Sequence, residues 1–130
     1  MQVEIVTPES VLYSGEADMV IARGLAGEVG VLKDHEPMLI GLDYGELRVY
    51  QGDSVTDRFA VYGGFLEVRD NVVSVLSDDA EDAREIDVAD AEASLADVDT
   101  IAADRGDESE AERLKRSEVR LAVARGNAGH

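Results

Sequence analysis

A change in hydrophobic period near Ser77 constrains this chain more than any other feature of its sequence. From Gln2 to Ser77 the apolar residues fall in short, mostly alternating runs separated by Gly, Asp, Asn or Pro. That is the pattern of half-buried strands joined by tight turns. The runs are Val3 to Val6, Ala17 to Ala22, Val29 to Leu32, Glu46 to Tyr50, Arg58 to Tyr62, Phe65 to Val68 and Val72 to Leu76. Thr7-Pro8, Gly63-Gly64 and Asp70-Asn71 stand between runs, and Gly and Asn tolerate the positive φ that tight turns demand. The spacing predicts a small antiparallel β-sandwich over residues 1–84.

After Ser77 the period becomes helical. Ala89, Ala93, Ala96, Thr100 and Ala103 recur at spacings of four and three, which predicts a narrow small-residue stripe on one helix. Gly106 is placed to end that helix, and Ser109 with Glu112 has the capping-box pattern for starting another, with Ala111, Leu114 and Leu121 on one face. The expected fold is therefore an N-terminal antiparallel β-sandwich followed by a C-terminal two-helix antiparallel hairpin, residues 85–130. An Ala-rich seam lets backbones approach closely but buries little apolar area. Such a hairpin is expected to be weakly held and able to detach.

Composition narrows the function. The formal charge is −17, so direct binding to nucleic acid or to an anionic lipid surface is not expected. The charge is uneven, with −8 over residues 1–77, −11 over residues 78–108 and +2 over residues 109–130. Lys33 and Lys115 are the only lysines, a balance that resembles adaptation to high salt. There is no cysteine, which removes disulfides, thiolate catalysis and the common zinc sites. No run approaches the roughly 20 apolar residues of a membrane span, and the start has no basic stretch followed by an apolar one. A soluble, unexported chain without an organelle import peptide is the expectation.

The search for chemistry yields no active site. Gly24-Leu25-Ala26-Gly27-Glu28-Val29-Gly30 is the glycine-rich loop, but Val31 follows it where a phosphate loop needs Lys and then Ser or Thr. It reads as a turn between strands. His35, beside Asp34 and Glu36, lacks a second interior His to form a metal site and reads as a loop or interface residue. Asp78, Asp79, Glu81 and Asp82 lack the ligand alternation of a calcium loop and read as solvated charge. No cofactor is expected. Arg113, Lys115, Arg116, Arg120 and Arg125 admit two readings, a solvated face paired with nearby Glu or a patch aimed at an acidic partner.

An ordered series of blocks resembles a known family. It comprises Val6-Thr7-Pro8-Glu9 through Tyr13-Ser14-Gly15-Glu16-Ala17-Asp18, then Gly27-Glu28-Val29-Gly30-Val31-Leu32 with His35-Glu36-Pro37-Met38-Leu39. Ala60-Val61-Tyr62-Gly63-Gly64-Phe65-Leu66-Glu67-Val68, Asn71 to Leu76 and Glu85-Ile86-Asp87 complete it. In order and spacing these resemble the epsilon subunit of F-type ATP synthases. The resemblance implies a non-catalytic rotor subunit, peripheral on the cytoplasmic face of the plasma membrane, that binds the gamma subunit and the c-ring with its sandwich. It implies that Glu28 faces the c-ring and that Ser10, His35 and Ile40 face gamma. It further implies a hairpin that can extend toward the catalytic beta subunits and restrain ATP hydrolysis, with Arg113, Arg116 and Arg120 meeting an acidic loop there.

Three positions depart from the family's pattern. Lys33-Asp34 stand where Pro-Gly is usual, and Arg23 where Pro is frequent. Asp90 stands where members that bind ATP in the hairpin carry Arg, and a carboxylate there repels phosphate. The competing expectation is a free-standing acidic β-sandwich binding module with a helical arm.

Overall fold

A computed structural model describes residues 1–128, so the last two positions of the expected hairpin lie outside the described residues. Its strands are β1 (Gln2–Val6), β2 (Val11–Glu16), β3 (Met19–Gly24), β4 (Gly27–Leu32), β5 (Met38–Gln51), β6 (Ser54–Arg69), β7 (Val72–Leu76) and β8 (Ala80–Asp82). They are hydrogen-bonded in the order β2-β1-β7-β6-β5-β3-β4, with β8 added beside β6. Neighbours are antiparallel except β1 and β7, which run parallel.

The two longest strands make the sheet fold over itself. The first half of β6 pairs with β8 at Phe59–Val61, and its second half pairs with β7 at Phe65–Arg69. Between these halves Gly63 and Gly64 take φ of 84° and 110°. A Cβ on Gly64 would lie 2.2 Å from the Leu76 carbonyl oxygen, so only glycine lets β6 bend this closely against β7. The sequence places a turn between two strands at these glycines, whereas the structure runs one bent strand through them. Val3, Ile5, Val20, Val31, Leu47, Val49, Phe59, Leu66, Val68, Val73 and Val75 form the core between the layers.

Residues 59–62 are all buried, a break in strand alternation with a simple cause. Phe59 and Val61 belong to the inner core, while Ala60 and Tyr62 belong to a second cluster with Ala83, Ile86, Ala91, Leu121, Val123 and Ala124. The outer face of β6 is thus covered by the C-terminal helices. These are α1 (Val88–Ala96), α2 (Thr100–Asp104) and α3 (Glu108–Ala128), after a 3-10 turn at Ala83–Glu85. α3 lies along both α1 and α2, a hairpin-like pair.

Two helical details differ from the sequence reading. The first helix breaks at Asp97-Val98-Asp99, because the Asp99 side chain accepts the Ala102 N–H and starts a new turn. The packed face is Val88, Ala91, Leu95 and Val98, not the exposed Ala89, Ala93, Ala96 and Thr100, since Val and Leu bury more apolar area than Ala and set the face. Gly106 ends α2 with φ 95°, as expected. α3 then starts at Glu108 under an Asp107 cap that accepts the Glu110 N–H, rather than under Ser109. Ala111 is exposed, while Leu114 is half-buried and Leu121 buried.

Candidate functional site

Three surfaces carry the residues singled out from the sequence. The most elaborate is the seam between the helices and the sandwich. Asp79 and Glu81 sit at β8, beside the first half of β6. Arg116 of α3 pairs with Asp79, and its guanidinium carbon stands 3.9 Å from the centre of the Tyr62 ring. Arg120 reaches Glu81 through Nε at 3.1 Å and Asp90 of α1 through Nη1 at 3.3 Å. The Tyr62 hydroxyl donates to the same Glu81 at 2.6 Å. Beside this group Lys115 pairs with Asp43, and the Tyr44 hydroxyl donates to Glu112 at 2.5 Å. The Tyr44 and Tyr62 rings meet edge to face with centroids 5.7 Å apart.

The electrostatics follow from these contacts. Burial and the Glu81 hydrogen bond raise the Tyr62 phenol above its ordinary value, and the Glu112 hydrogen bond pushes Tyr44 up to about 12. The Lys115 ammonium holds Asp43 below the usual carboxylate range. Burial alone would lower the Arg120 guanidinium, but Glu81 and Asp90 outweigh it and leave it raised. Arg113 behaves differently, pairing with Glu110 on its own helix at 2.7 Å and with Asp97 at 3.4 Å. Of the three arginines, Arg116 and Arg120 bridge hairpin to sandwich, and Arg113 ties the hairpin to itself.

The acidic segment is therefore not simply solvated. Asp79 and Glu81 receive arginines, while the side chains of Asp82, Asp87, Asp99 and Asp107 cap successive helical starts. Burial raises the Asp82 carboxyl, but the Arg84 side chain and backbone N–H overcome it and leave it lowered. An Asp placed three residues before each helical N–H was the available signal for the last three caps.

The second surface is an apolar row on the outer face of the sheet. Cross-strand pairing aligns Val11 with Val6, Val6 with Leu76, Leu76 with Phe65 and Phe65 with Gly41. Leu25 lies over Gly41, where a Cβ would come within 2.7 Å of its Cδ1. Val11, Leu76, Phe65 and Leu25 are between 52% and 72% exposed, so four large side chains on one row face solvent across five strands and a turn. Ser10 abuts this row, in a turn closed by the Thr7 N–H to Ser10 carbonyl bond at 2.9 Å. Sequence reading missed the row because its members are distant in the chain and come together only through register.

The third surface is the β3–β4 edge and the turn after it. Glu28 lies on β4 opposite Arg23, 60% exposed, with Arg48 of β5 at 2.9 Å. His35 is half-buried in the turn after β4, its Nδ1 2.7 Å from the Glu36 carbonyl. Asp34 takes φ 63° and its N–H donates to the Asn71 side chain, so this position makes the left-handed turn that Gly makes at no steric cost. Ile40 is half-buried against the core, opposite Leu66, while its neighbour Leu39 is 66% exposed. The structure sets Ser10 beside the apolar row, Glu28 on the sheet edge and Ile40 inward.

Among the described residues no cluster of His, Asp or Glu is arranged to hold a metal ion. No helix among them is long and apolar enough to cross a membrane. What fold and surfaces define together is a partner-binding module, a β-sandwich with an exposed apolar row and a docked helical pair.

Comparison with known proteins gives that module a family. Residues 1–83 match the family described as ATP synthase, Delta/Epsilon chain, beta-sandwich domain. An ATP synthase epsilon chain of Herpetosiphon aurantiacus is 43% identical over 129 residues, covering 96% of this chain and 94% of the relative. One of Brevibacillus brevis is 46% identical over 93 residues, 72% of this chain and 70% of the relative. A chain in the structure of Euglena gracilis mitochondrial ATP synthase, OSCP/F1/c-ring in rotational state 1, superposes with a TM-score of 0.70 at 25% identity, covering 98% of this chain and 80% of that one. The chain belongs to the ATP synthase epsilon-chain family. It is accordingly a subunit of that complex and not itself the catalytic one.

Proposed function

We propose that this chain is a central-stalk subunit of an F-type ATP synthase that couples ion translocation through the c-ring to ATP synthesis and restrains ATP hydrolysis through its C-terminal helices. The observation that carries the reading is the apolar row of Val11, Leu76, Phe65 and Leu25, exposed across the sheet. A row of this kind marks a protein–protein contact. The gamma subunit is the partner for this row, which Ser10 adjoins. The exposed Glu28 edge of β4 faces the c-ring, and His35 lies in the turn that follows. The Euglena chain, which belongs to an assembly containing F1 and a c-ring, supports the same placement. The complex would hold the chain at the cytoplasmic face of the plasma membrane without any lipid contact of its own.

The helical pair supplies the restraint. Released from the sandwich, α3 presents Arg113, Arg116 and Arg120 to acidic segments of the catalytic beta subunits. Capture of the chain from source membranes at low detergent should recover gamma and the c-ring. Recovery of neither would overturn the rotor reading. Deleting residues 109–130 should leave ATP synthesis coupled and raise membrane ATP hydrolysis, and an unchanged hydrolysis rate would remove the restraint.

A further inference from the structure

The two arginines that bridge to the sandwich already have acidic partners. Arg120 is a cation with 18% of its side chain exposed, held by one carboxylate of the sandwich and one of α1. Arg116 is held between Asp79 and the face of Tyr62. The Arg120 guanidinium is closed to a second carboxylate surface until α3 lifts away, whereas Arg116, 39% exposed, is held to the sandwich by its carboxylate partner and the ring face. Glu112, with its hydroxyl donor Tyr44, and Lys115, with Asp43, lie in the same seam and must part in the same movement.

We propose that Asp79 and Glu81 form an internal acidic partner surface that competes with external carboxylates for Arg116 and Arg120, and so sets how often the helical pair is free. The competition concerns the same guanidinium groups, so an acidic surface that binds Arg120 must displace the sandwich, and one that binds Arg116 contends with Asp79 for it. Arg113 is exempt, because its pairs with Glu110 and Asp97 lie within the hairpin and travel with it. Arg120 keeps Asp90 on release and loses Glu81. Asp90 thus joins the Arg113–Asp97 and Arg125–Glu92 pairs in keeping α1 and α3 together as one arm while the sandwich lets go.

The sign of the effect separates this mechanism from general electrostatics. The chain carries −17, so removing two carboxylates that neither cap a helix nor hold a cation relieves self-repulsion and tightens the fold. Neutralising Asp79 and Glu81 removes the arginines' partners and loosens α3 despite that relief.

The experiment measures amide hydrogen exchange in the full chain carrying Asp79→Asn and Glu81→Gln, substitutions that keep shape and leave an amide oxygen at position 81 as an acceptor for the Tyr62 hydroxyl. Exchange along α3 should accelerate about tenfold, roughly 1.4 kcal/mol, with β5 and β6 unchanged. A control carrying Glu9→Gln and Asp53→Asn, exposed positions of the sandwich, makes the same charge change away from the seam and from α3 and should not accelerate α3. Unchanged α3 exchange in the first variant, equal acceleration in the strands, or equal acceleration in the control would each overturn the proposal. The link to ATP hydrolysis rests on the proposed restraint, and a membrane ATPase assay of the first variant isolates it. Freed helices with lower hydrolysis support both ideas, whereas freed helices with unchanged hydrolysis keep the internal partner surface and overturn the restraint.

Discussion

Replacing Leu121 with Ala should free the helical pair while the sandwich stays folded. Leu121 is 6% exposed and packs in a cluster whose other members are Ala60, Tyr62, Ala83, Ile86, Ala91, Val123 and Ala124. Four of these are alanines, so Leu121 supplies a large share of the aliphatic bulk between α3 and β6. A buried Leu→Ala change costs about 2–5 kcal/mol, and a shallow seam that can partly close places this one at about 2–3 kcal/mol. That shifts the docked-to-free ratio roughly 30- to 150-fold. The ion pairs along the seam do not replace the loss, since partly exposed pairs contribute about 0.2–1 kcal/mol each. No inner-core residue is touched, because that cluster contains nothing beyond Ala80. Protease cutting of α3 and exchange of its amides should rise by that factor, and the melting of the β signal should stay in place. A single transition, shifted equally for helix and strand probes, would refute the separation of the two clusters.

A chain cut after residue 84 should keep its β circular dichroism, since the inner core is complete by Ala80; loss of the signal would mean that the helices complete the fold. Docking should weaken at both ends of the pH scale. Asp43 is lowered from 3.8, so its contribution is present above that value and lost as pH falls through the depressed one, whereas Tyr44 is raised from 10.0 to about 12, so its contribution holds below 10.0 and is lost on the way to about 12. Exchange of α3 amides across pH, corrected for intrinsic rates, should show both losses, and a flat profile would discount the seam. The isolated chain should give no calorimetric binding of ATP at micromolar concentration, because Asp90 is an anion bound to Arg120; a micromolar dissociation constant would refute that reasoning.

The strands that alternate cleanly were legible because one face of each is buried and one is not, as in β1 and β7. β2 was not read as a strand. It is an edge strand without a fully buried residue, and Leu12-Tyr13 breaks its alternation. Residues 38–45 were missed for a related reason, since the buried positions of β5 shift parity between Leu42 and Gly45, where the sheet bends. The alanine stripe was assigned to the wrong face because spacing alone does not rank alanine rows. The row with Val88, Leu95 and Val98 carries more area to bury. Of the site, the arginines were legible as a basic helix face, but their two candidate readings could not be separated along the chain. Asp79 and Glu81 lie 37 and 39 positions from their arginines, and only the return of α3 over β8 brings them together.

The seam itself combines a few large apolar side chains, Tyr62, Ile86, Leu121 and Val123, with four alanines and the two bridging arginines. Ala60, Ala83, Ala91 and Ala124 let the helices lie close to β6 while burying little apolar area. Replacing those alanines with leucines would add about 1.5–3 kcal/mol for each fully buried side chain and would oppose the proposed release. Charge pairs give position without that depth, since carboxylate and guanidinium exchange protein partners for water or for another acidic surface at modest cost. Arg120, the least exposed of the three arginines, bridges both sandwich and α1, and Arg113, the most exposed, stays within the hairpin. Under the proposed restraint, the burial gradient along α3 suits a pair of helices that part from the sandwich as one body, and a partner reverses the docking only by as much as its affinity differs between the two arrangements.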